Sequence, residues 1–208
     1  DTDERHPERH VSVQFPDALK AAGAYFVTAR MQDGNIARII VWVADDGSPD
    51  GTAEAVRAAM AANPGRVDLL LRSEKAGRGA AVIAAFRKGL ADPKMYDALV
   101  EMDADYSHHP SELPRLLDRL ADRDMVVGSR YIEGGSTSQW GFWRPLLSWL
   151  ANKYVWVVAG IPIRDTTSGY RAYRREVLEE TEFDRIKIRG YVVHGEMGYQ
   201  AWIHGFRL

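Results

Sequence analysis

At 208 residues, with 46% apolar and 27% charged side chains, the chain can bury one sizeable core. A formal net charge of −2 removes any global electrostatic case for nucleic acid. The absence of cysteine removes disulfides, thiolate zinc sites and a cysteine nucleophile, and suits a reducing cytosol. A single α/β domain over 1–208 is expected, with no basic-then-apolar leader and a frayed, charged tail over 1–10.

Val11–Phe15 alternates as a short strand does, Ala18–Ala24 is rich in helix formers, and Asp33-Gly34-Asn35 reads as a turn. Ile39–Val43 is β-branched and continuous, the pattern of a buried strand, and a helix follows over Ala53–Ala62 until Asn63-Pro64-Gly65 stops it. Val67–Leu71 is the next strand, leading through Lys75-Ala76-Gly77-Arg78-Gly79 into an alanine-rich helix that runs to Leu90. Tyr96–Met102 predicts a strand, Ser111–Ala121 a helix and Met125–Gly128 a further strand. Strand, loop and helix repeat at βαβ spacing, so a mostly parallel sheet covered by helices is expected.

After Arg130 the texture changes. Residues 140–163 hold Trp140, Trp143, Trp149 and Trp156, but Arg144, Asn152 and Lys153 interrupt the apolar run, so a spanning helix is not expected. Two readings fit: a core helix under the sheet, or an amphipathic helix at a bilayer surface. A short strand within 165–174, a helix over Arg175–Glu180 and a last helix over 190–205 carrying Glu196 complete the chain.

The chemistry gathers in the loops after strands. Asp103-Ala104-Asp105 ends an apolar strand, and ligands in open α/β sheets lie outside such carboxyl ends. With no cationic residue adjacent in sequence, the two carboxylates suit Mg²⁺ or Mn²⁺ bound with a diphosphate, although a strand-to-helix turn with a capping serine would use the same residues. Asp45-Asp46-Gly47-Ser48 can accept hydrogen bonds from a base or a ribose. Gly77 and Gly79 allow close backbone approach, and Lys75 and Arg78 could offset phosphate charge. No Walker A, G-x-G-x-x-G or G-x-S-x-G spacing occurs. His108 and His109 are adjacent, so capping or supporting roles suit them better than zinc. Arg130 and Arg144 call for phosphate or carboxylate partners. Asp165 could serve Arg130, making a structural pair, or the arginines could face an anionic acceptor.

Taken together, D-D-G-S-P-D-G-T at 45–52, K-A-G-R-G-A-A at 75–81, M-D-A-D-Y-S-H-H-P at 102–110, V-G-S-R-Y at 127–131 and T-S-G-Y-R-A-Y-R-R-E-V-L at 167–178 resemble the polyprenol (dolichol) phosphate mannose synthases. These are inverting family-two glycosyltransferases of the GT-A fold, and the resemblance covers about residues 39–200. It implies mannose transfer from GDP-mannose to a membrane polyprenyl phosphate, with Mg²⁺ or Mn²⁺ as cofactor and peripheral contact at the cytoplasmic face of a membrane. By position it implies that Asp45, Asp46, Gly47, Ser48, Lys75 and Gly77 meet the donor. Asp103, Ala104 and Asp105 would lie at the diphosphate, with Asp103, Asp105 and Ser107 toward the metal. Arg130, Arg144 and Ser148 match positions that meet the donor diphosphate or the lipid phosphate, and Asp165 and Glu196 fall at acidic positions of the pattern. Asp105, Arg130 and Arg144 are the catalytic candidates. Two departures stand out: Pro16-Asp17-Ala18-Leu19 replaces the family's P-x-Y-N-E-like loop, and Leu208 precedes the family's next strand. The rival readings are a sister transferase using UDP-glucose or another nucleotide sugar, and a silent nucleotide-sugar binding module.

Overall fold

The computed structural model describes residues 24–32, 35–72, 77–94, 96–103, 107–132, 143–187, 190 and 192–208. The elements expected over 1–23, the Asp33-Gly34 turn, Lys75, and Ala104-Asp105 lie outside them. Six strands form one sheet: β1 (Ala24–Gln32), β2 (Asn35–Asp45), β3 (Val67–Leu71), β4 (Ala98–Asp103), β5 (Met125–Val127) and β6 (Arg171–Arg174). The helices are α1 (Thr52–Ala62), α2 (Arg78–Ala91), α3 (Leu113–Arg119), α4 (Trp143–Ala159), α5 (Arg175–Glu179) and α6 (Val193–Ile203).

The helix-flanked sheet agrees with the expected fold class, but its pairing is mixed. In the order β3-β2-β1-β4-β6-β5, the strands β2, β3, β4 and β5 all point one way, as the βαβ pattern requires. The strands β1 and β6 run against them, so β2 and β3 form the parallel couple among the described pairs. No strand is expected over β1, and Ala24 opens it instead of closing a helix. Its register pairs Gln32 with Asn35, so β1 folds straight back from β2 and fills the sheet's centre.

Alternation along β2 sorts its side chains onto two faces. Ile40, Trp42 and Ala44 face a core shared with Val82 and Phe86 of α2, Val177 and Leu178 of α5, and Met197 of α6. Val41 and Val43 face the opposite core, built with Val56 of α1 and with Leu113, Leu116 and Leu117 of α3. Within the first core Phe86 meets Tyr173 edge-on, with centroids 5.3 Å apart. Both faces are therefore covered, which explains the continuous apolar run of β2.

The helix α4 has 17 described residues and ends at Ala159, before the end of the expected 140–163 stretch. Val155 and Ala159 pack against the first core, while Trp143, Trp149, Tyr154, Trp156, Val157 and Val158 stay exposed. The observed helix rests one stripe on the core and presents aromatic and aliphatic surface outward. Among the described residues no helix is long and apolar enough to cross a membrane.

Candidate functional site

Ala24 pairs with Ala44 on one side and with Asp103 on the other. The carboxyl ends of β2 and β4 therefore flank the start of β1, two strand spacings or about 10 Å apart. The first β2 acid, Asp45, is almost fully buried. Its Oδ1 accepts the Ser48 N–H at 3.1 Å, while Oδ2 is buried without a hydrogen-bond partner among the described residues. An orphaned carboxylate oxygen at a strand end is an acceptor available to a ligand N–H or hydroxyl. The next residue, Asp46, pairs with Arg72 Nη1 at 3.1 Å, and Gly47 turns the loop at φ 72°, where a side chain would be strained. Asp50 acts locally, because its Oδ1 accepts from both the backbone N–H and the hydroxyl of Thr52 at the start of α1.

The β4 end differs from expectation. Asp103 does have a cation beside it, because Arg78, the first residue of α2, donates from Nη2 to its Oδ1. The same Nη2 lies 3.4 Å from Oε1 of Glu101, two residues back on the same face of the strand. Glu101 is completely buried and pairs with His194 Nε2 at 2.9 and 3.0 Å. Burial pushes the Glu101 carboxyl up, but His194, by charge and hydrogen bond, with Arg78 and Arg171 beyond it, holds it below its ordinary range. Arg78 thus sits between the carboxylates of Asp103 and Glu101.

The two histidines support the loop, as expected. Nδ1 of His108 accepts the Asp103 N–H at 2.8 Å, and its ring stacks on Tyr170 with centroids 4.8 Å apart. Tyr170 in turn donates its hydroxyl to the His109 carbonyl, and His109 Nδ1 accepts the Ser111 N–H at the helix entry. The exposed Ser107 stands beside them.

Arg130 takes Asp165 as its carboxylate partner. Nε and Nη2 donate to the two oxygens of Asp165 at 2.7 Å each, and Nη2 also reaches Thr167 Oγ1 at 2.8 Å. Burial raises the Asp165 carboxyl, but the hydrogen bonds and charge of Arg130 outweigh it and leave it below the usual carboxylate range. Asp103 is close enough to add to the raised Arg130, so the pair borders the same edge. From α4, the buried Asn152 donates to the Ser148 carbonyl and accepts from the backbone and hydroxyl of Thr166. That clamp fixes Ser148 and the helix to the Asp165 loop. Arg144 lies on α4, one turn before Ser148, with its side chain outside the described residues.

Residues 26–181 match the family model described as glycosyl transferase family 2. The chain belongs to that family. It is 45% identical over 170 residues to the polyprenol monophosphomannose synthase of Mycolicibacterium smegmatis, covering 81% of this chain and 63% of the relative. It is 42% identical to the undecaprenyl-phosphate mannosyltransferase of Micrococcus luteus, covering 81% and 68%. With the dolichol-phosphate mannosyltransferase of Pyrococcus furiosus it shares 34% identity over 69% of this chain and 40% of the relative. The resemblance read from the motifs is therefore a family membership, and the chain spans about two thirds or less of each of these relatives.

Within this glycosyl transferase family 2 chain the structure brings Asp45, Asp46, Gly47, Ser48, Gly77 and Asp103 to one sheet edge, with the Arg130–Asp165 pair beside it. Sequence reasoning misses the network of Glu101, His194 and Arg171. Arg171 is fully buried and donates to the carbonyls of Ser168, Thr166 and His194 at 2.6–2.7 Å and to that of Asp165 at 3.4 Å. A signal exists for part of it, because Glu101 is an acid inside an apolar strand and shares a face with Asp103. The described residues hold no group of three His, Asp or Glu side chains arranged for a metal. Asp103 nonetheless offers hard carboxylate oxygens at the open edge, which is the donor type that Mg²⁺ and Mn²⁺ take.

Proposed function

We propose that this chain transfers mannose from GDP-mannose to a polyprenyl phosphate, with inversion, at the cytoplasmic face of a membrane. The observation that carries this reading is the pairing of two acidic strand ends across β1: Asp45 with an orphaned buried oxygen, and Asp103 at the open edge. Their separation suits a nucleoside on Asp45 and a diphosphate at Asp103. The mannosyltransferase and mannose synthase names of the relatives support the sugar and the polyprenyl phosphate acceptor.

A phosphate oxygen of the lipid attacks the anomeric carbon as the bond to the GDP β-phosphate oxygen breaks, and GDP leaves with that electron pair. The acceptor is already an anion, so no strong general base is required. What the protein must do is hold two anions together and stabilise the leaving group. A divalent ion on Asp103 and Asp105 would neutralise charge on the departing diphosphate. Asp165 fixes Arg130 at the edge with its guanidinium partly exposed, and Asn152 holds α4 against the same loop. Arg144 and Ser148 on α4 then serve the acceptor phosphate, and the exposed tryptophans and valines of that helix rest in the lipid interface.

Turnover of labelled GDP-mannose onto a short polyprenyl phosphate, with and without Mn²⁺, tests the reading. Calorimetric titration of GDP-mannose, GDP and UDP-glucose accompanies it. Transfer from GDP-mannose alone supports the proposal, transfer from UDP-glucose replaces the donor, and binding without transfer leaves a nucleotide-sugar binding module.

A further inference from the structure

Arg78 is a cation at the wrong end of a helix. It opens α2, where the macrodipole disfavours positive charge, so its place there needs a local reason. Two carboxylates on one face of β4 supply it, since Nη2 meets Oδ1 of Asp103 and Oε1 of Glu101 together. The room for the guanidinium is also built. Residue 169 is a glycine, and a Cβ there would stand 2.8 Å from Arg78 Nη2. The two carboxylates differ in what else they have. Glu101 is fully buried with His194 and Arg171 near it, whereas Asp103 is partly open at the edge.

We propose that Arg78 is an internal counter-cation for Asp103, which competes with a divalent ion for the Oδ1 of that carboxylate. This rests on the metal-assisted reading above. On displacement the guanidinium keeps Glu101, so no buried charge is left alone and the exchange is inexpensive. In the ion-free protein Asp103 is already neutralised, which sets the affinity for a bare divalent ion low. An ion arriving with a diphosphate brings further ligands and overcomes the competition. Arg78 is thus a positioning residue that acts through Asp103, and not a ligand of the sugar nucleotide.

The test is Mn²⁺ binding to the full chain, read from the free-ion signal in electron paramagnetic resonance, with circular dichroism to confirm folding. Arg78→Met is expected to bind Mn²⁺ about tenfold more tightly than the wild type, the scale of one charged hydrogen bond removed. Gly169→Ala, whose new methyl crowds the guanidinium away from its seat, is expected to shift affinity in the same direction, and it carries the test if Arg78→Met does not fold. Unchanged or weaker Mn²⁺ binding in these variants, with the wild type binding, overturns the competition and leaves the metal reading standing. Weakened GDP binding by Arg78→Met with unaltered Mn²⁺ affinity also overturns it and places Arg78 on the diphosphate. No Mn²⁺ binding by wild type and both variants removes the metal reading, and this inference with it.

Discussion

Arg130 and Asp165, 35 residues apart, meet through two side-chain hydrogen bonds of 2.7 Å, and Asp165 also accepts the Arg130 backbone N–H at 3.2 Å. The carboxylate is fully buried while the guanidinium is partly exposed. Asp165→Ala should therefore cost about 2–3 kcal/mol, the range for losing charge-assisted hydrogen bonds at a half-open site. Urea denaturation at neutral pH measures it, and a loss below a few tenths of that size would show the pair to be incidental.

The same pair sets an acid limit. The folded carboxyl of Asp165 lies below its ordinary value of 3.8. A depressed carboxyl contributes stability that is present above the unfolded pKa and lost as pH falls through the folded one. Stability should thus decline from about pH 4 downward, and Asp165→Asn should flatten that part of the profile. An unaltered acid limb in the variant counts against the assignment.

Arg171→Met should damage the fold more than any change at the edge. Four backbone carbonyls lose their donor within a fully buried site, and Glu101 loses a nearby positive charge. The expected cost exceeds about 4 kcal/mol. Thermal unfolding followed by circular dichroism reads it, and a variant within a few degrees of the parent would refute the role of hub.

The strand end and α4 separate chemistry from docking. Asp105→Ala should abolish metal-dependent transfer while leaving the melting temperature unchanged, and full activity after chelation would sink the metal assignment. Arg144→Ala should raise the KM for the polyprenyl phosphate more than that for GDP-mannose. Unchanged acceptor kinetics would take Arg144 off the lipid phosphate.

Exposed side chains on α4 predict membrane attachment. Trp149→Ser combined with Val157→Ser removes two exposed apolar groups without touching the Val155 and Ala159 packing. The partition constant onto anionic vesicles, read from sedimentation, should fall about 30- to 160-fold for about 2–3 kcal/mol of lost interfacial burial. Equal sedimentation would point the helix away from lipid.

Much of this architecture can be read in the chain because it is local. The strand over 67–71 has the limits its pattern predicts, and the helices expected over 53–62 and 175–180 lie within a residue of their observed bounds. Their periodicity and their Asn-Pro-Gly and acidic punctuation are short-range signals. By contrast, β1 is missed although Tyr25-Phe26-Val27-Thr28 are all strong strand formers, because the alanine-rich stretch before it draws the expected helix into its first residue. The acidic edge is legible as a row of strand-end loops, but Arg78 on Asp103 is not. Its partner lies 25 residues away, and only the packing of α2 across β4 joins them. Arg171 is equally hidden, since nothing in R-A-Y-R says that four carbonyls converge on it.

The antiparallel insertion of β1 bears on how the protein assembles. The middle of an α/β sheet is usually its most non-local part, yet here the central strand β1 pairs on one side with its neighbour in sequence, with Gln32 opposite Asn35. Closing such a hairpin costs little chain entropy compared with a crossover. The β1–β2 ribbon can thus form early and offer β1's free edge to β4, so the two acidic strand ends come together only at that second docking step. Nascent chains would acquire the Asp45 side of the edge before its Asp103 side, and φ-values higher for Val43→Ala than for Val100→Ala would record that order.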